Sequence, residues 1–355
     1  MVSAGIFVLD TSISAKTCKI IVNWRADDMK IKFLVIRFSS IGDIVLTSPV
    51  VRGLKQQVEN SEVHFVTKKK HAELVSSNPY IDKVYLLDEN IGDLISELEK
   101  EKYDYVIDLH QNFRSNRIKR SLKCPTFSFD KLNWQKWLMV QFKINRLPKK
   151  HIVDRYLETV SVFDLKSDQT GLDYFIKESD TFQKKDLPKP FQNGYVAFVI
   201  AGTYFTKKLP EEKVSEICQN IPYPVILLGG KEENEVGEKV LSLSKGNVLN
   251  YAGKISLGQS ASLVRDARVV LTNDTGLMHI AAAYHKKILS FWGNTIPAFG
   301  MTPYLAGEAS EILDVPDLKC RPCSKLGHHK CPKKHFRCMK EIDVQRATDW
   351  ILENY

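Results

Sequence analysis

Arg268-Val-Val-Leu-Thr272-Asn273-Asp274-Thr275-Gly276-Leu277-Met278-His279-Ile280-Ala281-Ala282-Ala283 reads as a strand, a polar turn and a helix. The apolar run after Arg268 suits a buried strand. Asp274 stands where it caps the helix that Thr275 and Gly276 open. Free N–H groups at such a helix start attract phosphate oxygens. Gly276 lets a ligand approach closely, and Ala281, Ala282 and Ala283 let the helix pack tightly on a sheet. His279 lies one turn along and faces the same place. The stretch is either a phosphate cradle or a well-capped core helix.

Working outward, the same strand–turn–helix plan recurs. Phe33-Leu-Val-Ile-Arg-Phe38 is a short apolar run, Ser39 to Asp43 a tight turn, and Ile44 to Gln57 has apolar residues at helical spacing. Val63 to Val66, Val84 to Leu87 and Tyr105 to Asp108 continue as strands, with helices from His71 to Ser77 and around Leu94 to Lys100. In the second half Tyr195 to Ile200, Val225 to Leu228, Arg268 to Thr272 and Ile288 to Phe291 are strands, the last closing the sheet. Strands alternating with helices predict parallel, doubly wound α/β sheets. Polar residues with Pro188 and Pro190 between the halves mark a linker. The expected division is a Rossmann-like domain over 29–176, a linker over 177–193, a second such domain over 194–341, and a helix over 342–355. Residues 1–28 are expected to be an upstream extension, with Met29 the natural start. Two such lobes enclose a cleft, and sheets of this kind bind ligands at the C-terminal ends of their strands.

Two further loops fall at such ends. Ala201-Gly-Thr203-Tyr-Phe-Thr206-Lys207-Lys208-Leu-Pro210 places hydroxyls and lysines before a helix opened by proline. A cation there suits a departing diphosphate, and a solvated loop is the plainer reading. Arg37-Phe-Ser39-Ser40-Ile-Gly42-Asp43 is neither a dinucleotide fingerprint nor a P-loop. Asp43 either accepts a proton from an attacking hydroxyl or caps a helix starting at Ile44.

Composition limits the partners. The 355 residues suit two domains, with 43% apolar and 26% charged residues. No apolar run is long enough to span a bilayer, so a membrane role would be peripheral. The net charge of +9 is uneven. From Asn112 to Tyr156 twelve Lys/Arg face only Asp130 and Asp154, and Leu318 to Lys340 holds eight Lys/Arg and no acid. Basic segments suit an anionic partner, or simply a solvated surface. Cys18, Cys124 and Cys218 are scattered. Cys320, Cys323, Cys331 and Cys338, in the loop 318–340, are spaced Cys-x2-Cys-x7-Cys-x6-Cys, and four such thiols suit a structural zinc. Free thiols or a disulfide-linked hairpin are the alternatives. No export signal precedes the fold, so a reducing compartment is expected.

Together these residues resemble glycosyltransferase family 9, the ADP-heptose:lipopolysaccharide heptosyltransferases. Ser39-Ser40-Ile41-Gly42-Asp43 resembles the family's opening, and Asp274 to His279 its donor motif. Lys207 before Pro210, Asp108 to Ser115 and His151 to Tyr156 also resemble family segments. The resemblance implies a GT-B fold with a C-terminal helix packing back across the cleft, and a cytoplasmic enzyme at the inner-membrane face. It implies transfer with inversion from an ADP-heptose-like donor to an anionic lipopolysaccharide inner core, with no metal at the chemical step. Asp43 is then the catalytic base, a carboxylate acting as in inverting glycosidases with a sugar hydroxyl replacing water. The implied donor site is Thr203, Thr206, Lys207, Glu232, Asp274, Thr275, Gly276, Leu277 and His279. The implied acceptor site is Ser40, Gly42, His110, Arg114 and Arg155. Other readings are another nucleotide-sugar donor, a nucleotide-sugar epimerase, or a basic zinc-ribbon protein that binds nucleic acid. Against the last, the basic tail carries only Phe336 as a stacking aromatic, so no nucleic-acid partner is expected.

Overall fold

The computed structural model describes residues 30–244 and 247–355. The upstream stretch 1–28 and the start at Met29 lie outside the described residues.

The first lobe runs β1 (Ile31–Ile36), α1 (Ile41–Val45), α2 (Ser48–Gln57), β2 (Ser61–Lys68), β3 (Lys83–Leu87), α3 (Ile91–Lys100), β4 (Tyr105–Asp108), α4 (Phe113–Leu122), β5 (Thr126–Ser128), α5 (Asn133–Phe142) and α6 (Ile152–Thr159). After α7 (Lys189–Gln192) the second lobe runs β6 (Val196–Val199), α8 (Glu211–Asn220), β7 (Val225–Leu228), α9 (Asn234–Leu243), β8 (Val248–Asn250), α10 (Leu257–Asp266), β9 (Val269–Asn273), α11 (Gly276–Ala283), β10 (Lys287–Trp292), β11 (Glu311–Asp314), α12 (Arg337–Lys340) and α13 (Val344–Asn354). All strand pairs are parallel, in the orders β3-β2-β1-β4-β5 and β11-β10-β9-β6-β7-β8. Strand order reverses at β1/β4 in one sheet and β6/β9 in the other, the places where such sheets bind ligands.

Strand β1 shows why the sheet is stable. Phe33 and Val35 join one core while Leu34 and Ile36 join the core on the opposite face, and all four are fully buried. A strand covered on both faces needs a continuous apolar run, which is what the sequence supplies. The first of these cores continues through Leu172 and Tyr174 to Ala197, Val270 and Leu277, so apolar packing is unbroken between the lobes.

Several elements differ from expectation. The helix read over Ile44 to Gln57 is two helices, because Pro49 lacks an N–H and sits in the first turn of a new one. The helix read over His71 to Ser77 is a 3-10 turn, Lys69–Leu74. Ile288 to Phe291 does not close the second sheet, since β11 pairs outside it. The final helix does not cross the cleft. Val344, Ala347, Trp350 and Ile351 bury in the second lobe's own core beside β10 and α8, and Trp350 Nε1 donates to Ala309 O at 2.8 Å. Its apolar stripe has a full partner there, leaving no apolar face for the cleft.

Trp350→Ala should therefore destabilise the protein by about 3–5 kcal/mol, the usual loss for a fully buried aromatic. Urea unfolding checks this, and a loss under about 1 kcal/mol would contradict the packing described.

Candidate active site

The two strand reversals face each other, and the lobes touch through the starts of α1 and α11. A Cβ on Gly42 would meet His279 Cδ2 at 2.5 Å, and one on Gly276 would meet Ile41 Cγ2 at 2.6 Å. Only glycine fits on either side, so the approach of the two helices is set by absent side chains.

On the first-lobe side Arg37 ends β1 almost fully buried. Its Nη2 lies 2.6 Å from Asp43 Oδ1, Nε donates to Ser39 O at 2.9 Å, and Nη1 donates to Leu109 O and to Tyr156 Oη at 3.0 Å. Asp43 Oδ2 also accepts from Ser40 N at 3.1 Å and Ser40 Oγ at 2.6 Å. Burial works against the Asp43 carboxylate, but Arg37 and the Ser40 donors outweigh it and hold it below the usual carboxylate range. The helix begins at Ile41 rather than Ile44, so Asp43 lies inside its first turn. It therefore stabilises the helix start and still presents an ionised oxygen beside the cleft.

The wall behind Asp43 is cationic. Arg155 is 6% exposed, and its Nη1 donates to Asp130 O at 3.2 Å. Its Nε and Nη2 are buried and find no acceptor among the described residues. Lys136 on α5 lies within the field of Arg155, Asp43 and Lys325, and burial pushes its ammonium down to about 8. Lys131 is pushed down by burial and Arg37. His110 packs edge-on against Phe38, with Nδ1 buried and unpartnered, and burial and Arg37 push it down to about 4. Arg114 stands exposed on the first turn of α4, in none of these contacts.

On the second-lobe side Thr275 occupies the N-cap of α11, but its hydroxyl is buried and finds no hydrogen-bond partner among the described residues. The expected cap, Asp274, is turned away. Its Oδ2 lies 2.5 Å from Lys207 Nζ and accepts from Thr295 Oγ1 at 2.9 Å, because an ion pair outcompetes a cap. The start of α11 is thus left with free amides. His279 is buried, pushed down to about 4 chiefly by burial, and its Nδ1 has no partner. Both histidines are therefore neutral at physiological pH.

Three expected donor residues sit differently. Thr206 is buried, donates to Asn294 Oδ1 at 2.9 Å and accepts from His328 N at 2.8 Å, so it anchors a loop instead of facing the cleft. Leu277 turns its side chain into the shared core. Glu232 is exposed, while its neighbour Glu233 is buried and pairs with Lys208 Nζ at 2.5 Å. Glu232 and Lys208 stand at the rim of an apolar slot formed by Ile200, Leu209, Pro210, Val236 and Phe336. Thr203 is exposed on the loop after β6.

The cysteine loop closes over this wall. Cys320, Cys323, Cys331 and Cys338 are all free thiols, so the alternative of a disulfide-linked hairpin is not formed. Cys323 is pushed up to about 11 by burial and then by Cys320, and Cys338 up to about 12 by burial. Cys320 Sγ lies 3.8 Å from His335 Nε2. No three of the sulfurs come within 4.8 Å of one another, so the expected tetrahedral cage is not formed as the thiols stand. Among the described residues only Glu62, His64 and Glu101 converge that closely. They are already committed to Lys32, Tyr103 and each other on the far face of the first sheet.

The residues missing from the sequence reading are Arg37 as a site residue, Tyr156, Lys131, Lys136, Glu233, Thr295 and Asn294. Arg37 had a legible signal, a charge ending an apolar strand. The others are brought in only by tertiary packing.

Known proteins share both lobes. A 26%-identical relative, lipopolysaccharide heptosyltransferase 1 of Campylobacter coli, aligns over 74% of this chain and 84% of its own length. Lipopolysaccharide heptosyltransferase 1 of Pseudomonas aeruginosa is 25% identical over 89% of this chain and 92% of its own. The Escherichia coli ADP-heptose lps heptosyltransferase II structure superposes with a TM-score of 0.70 at 19% identity, covering 91% of this chain and 98% of that one. At that identity the superposition speaks for the fold, which is GT-B. The family model for glycosyltransferase family 9 (heptosyltransferase) matches residues 91–333, from α3 through the donor-side motif into the cysteine loop. With a GT-B cleft that sets a carboxylate opposite an uncapped helix start, the chain belongs to glycosyltransferase family 9 and is a glycosyltransferase.

Proposed function

We propose that this enzyme moves a heptose from an ADP-sugar to an anionic lipopolysaccharide inner-core acceptor, with inversion, at the cytoplasmic face of the inner membrane. The observation that carries the reading is the pairing of Asp43, ionised and held by Arg37, with the free amides of α11 across the glycine contact. The acceptor hydroxyl loses its proton to Asp43 as its oxygen attacks the anomeric carbon. The bond from that carbon to the diphosphate breaks on the opposite side, and ADP leaves with the electron pair. The amides of Thr275 and Gly276 and the Lys207 ammonium meet the charge that develops there. Lys207 is oriented for this by Asp274, 2.5 Å away. The adenine enters the apolar slot, with Glu232 and Lys208 at its polar rim. On the acceptor side Arg155 and Lys136 offer cationic hydrogen-bond donors to an anionic sugar. His110, Gly42 and Ser40 border the same space, and exposed Arg114 meets the more distant part of the acceptor. The chemical step uses no metal.

The cysteine loop is proposed to hold one structural zinc, separate from the chemistry. Its four thiols and His335 are gathered in one segment, and their placement without an ion is looser than a cage. Binding would draw the sulfurs together and ionise thiols that burial now keeps protonated.

Asp43→Asn should bind ADP normally by calorimetry and lose about 10²–10⁴ in turnover. Normal turnover would return Asp43 to a purely structural role. Because Arg37 lowers the Asp43 pKa, the base is present above that value and is lost only as pH falls through it. The acid limb of kcat should therefore lie below the range of an ordinary aspartate. A limb centred near neutrality would contradict the pairing.

Lys207→Ala should raise the Kd for ADP about 10–100-fold, the range for a charge-assisted hydrogen bond. Lys208→Ala should cost less, because Lys208 is engaged by Glu233. Tighter binding of UDP or GDP than ADP would refute the ADP assignment.

Elemental analysis should find about one zinc per chain, and Cys323→Ser should lower Tm while sparing ADP affinity. Metal-free protein with four titratable thiols and unchanged melting would sink the zinc proposal alone.

A further inference from the structure

Helix α5 has no buried residue at any of its ten positions. Helices of globular proteins are normally held by an apolar stripe packed on a core. Here the aromatic side chains point to solvent, while Leu138, Met139 and Val140 are partly covered. Trp134 is 63% exposed, Trp137 44% and Phe142 59%, and Ile144 just beyond is exposed as well. The two indoles stack at 4.8 Å and Trp137 meets Phe142 edge-on at 5.3 Å, so the three rings form one patch. Phe113, 80% exposed, opens α4 nearby, where Lys131 Nζ donates to Gln111 O at 2.7 Å and ties the two helix starts together.

Positive charge flanks the patch along the chain, with Lys150 paired to Glu158. Arg114 and Arg117 are exposed on α4, and Lys143, Arg146, Lys149 and Lys150 follow α5. Across 112–156 twelve Lys/Arg oppose only Asp130 and Asp154. Lys136, on the same helix, is instead half-buried in the field of Arg155 and Asp43. Lys143 Nζ donates to Pro322 O of the cysteine loop at 2.7 Å, across the gap between the lobes. The helix thus has one side in the cleft and an aromatic side outward. Among the described residues no helix is long and apolar enough to cross a membrane.

We propose that the outward side of α5, with Phe113 and Ile144, docks on an anionic lipid bilayer. Tryptophan and phenylalanine favour the headgroup level, and arginine and lysine beside them favour anionic lipid phosphates. A protein partner would need matching acids around an apolar pocket, whereas a bilayer supplies both features everywhere. Docking in this orientation brings the mouth of the cleft to the membrane surface. The inference rests on the proposed glycolipid acceptor, which would enter from that surface.

The test is co-sedimentation of the full chain with phosphatidylglycerol-containing vesicles and with phosphatidylcholine vesicles. The native protein should bind the anionic vesicles, release as salt rises, and show a blue shift of tryptophan emission. Trp134→Ser/Trp137→Ser/Phe142→Ser should weaken binding by about tenfold or more, with Tm and ADP affinity unchanged, since none of the three is buried. Turnover on a water-soluble acceptor fragment should be retained, while turnover on vesicle-embedded acceptor falls. Equal vesicle binding by the native and triple-variant proteins would overturn the proposal. So would a native dimer that the triple variant dissolves, since a second copy would then cover the face. Failure of ADP binding in the native protein would instead strike the donor assignment and leave the docking result standing.

Discussion

A guanidinium buried at the end of a central strand sets the geometry around it. Removing a charge from water costs several kcal/mol unless it is paired and hydrogen-bonded. Arg37 meets that demand with Asp43, Ser39 O, Leu109 O and Tyr156 Oη. Those four acceptors come from α1, the exit of β1, the exit of β4 and α6. Loss of any one leaves a buried charge short of a partner, so all four segments are held in register by one side chain. The same pairing keeps Asp43 ionised although it is largely enclosed. One interaction thereby fixes both the shape of the first lobe around it and the charge state of its carboxylate.

The second constraint is the contact between lobes. Two helix starts, each the positive end of a dipole, meet across Gly42 and Gly276. Alone they would repel. Asp43 in the first turn of α1 supplies compensating negative charge on one side, while the start of α11 is left without a side-chain cap. The glycines bring the backbones so close that the Asp43 carboxylate and the start of α11 share one small space. Side chains on either glycine would separate the groups that a transfer reaction needs side by side.

The α/β architecture was legible because parallel strands buried on both faces read as uninterrupted apolar runs, as at Phe33 to Ile36 and Val196 to Val199. Short edge strands such as β5, β8 and β11 were not, since three or four residues are too few to carry a distinctive period. The loops bearing Asp43, Lys207 and Asp274 were legible from their places after strands and from the resemblance to a family. Partners were not. Asp274 was read as a cap because aspartate before a helix normally is one, yet Lys207 from a distant loop claims it. Thr206 was read as a ligand residue from its loop, but His328, 122 residues away, takes its hydroxyl. Lys136 carried no signal of its own in the sequence beyond its place in a basic segment. Its chemistry comes from Arg155 and Lys325, which the fold brings to it.

The two walls of the cleft handle charge in opposite ways, and the difference bears on mechanism. On the donor side Lys207 and Lys208 are each paired with an acid, at 2.5 Å. They are oriented before any ligand arrives, which spares the reorganisation that a developing negative charge would otherwise demand. On the acceptor side Arg155 keeps two buried donors unmatched, and burial pushes Lys136 down toward neutrality. That wall is electrostatically incomplete by itself, and in the proposed reaction the anionic acceptor would complete it. Binding energy gained there would offset the cost of enclosing the cations, and the acceptor's own charge would settle where its hydroxyl lies relative to Asp43. On that proposal, specificity for an anionic acceptor follows from the wall itself. On the same proposal a neutral sugar would leave the Arg155 Nε and Nη2 as buried, unpaired donors, the costliest state such groups adopt.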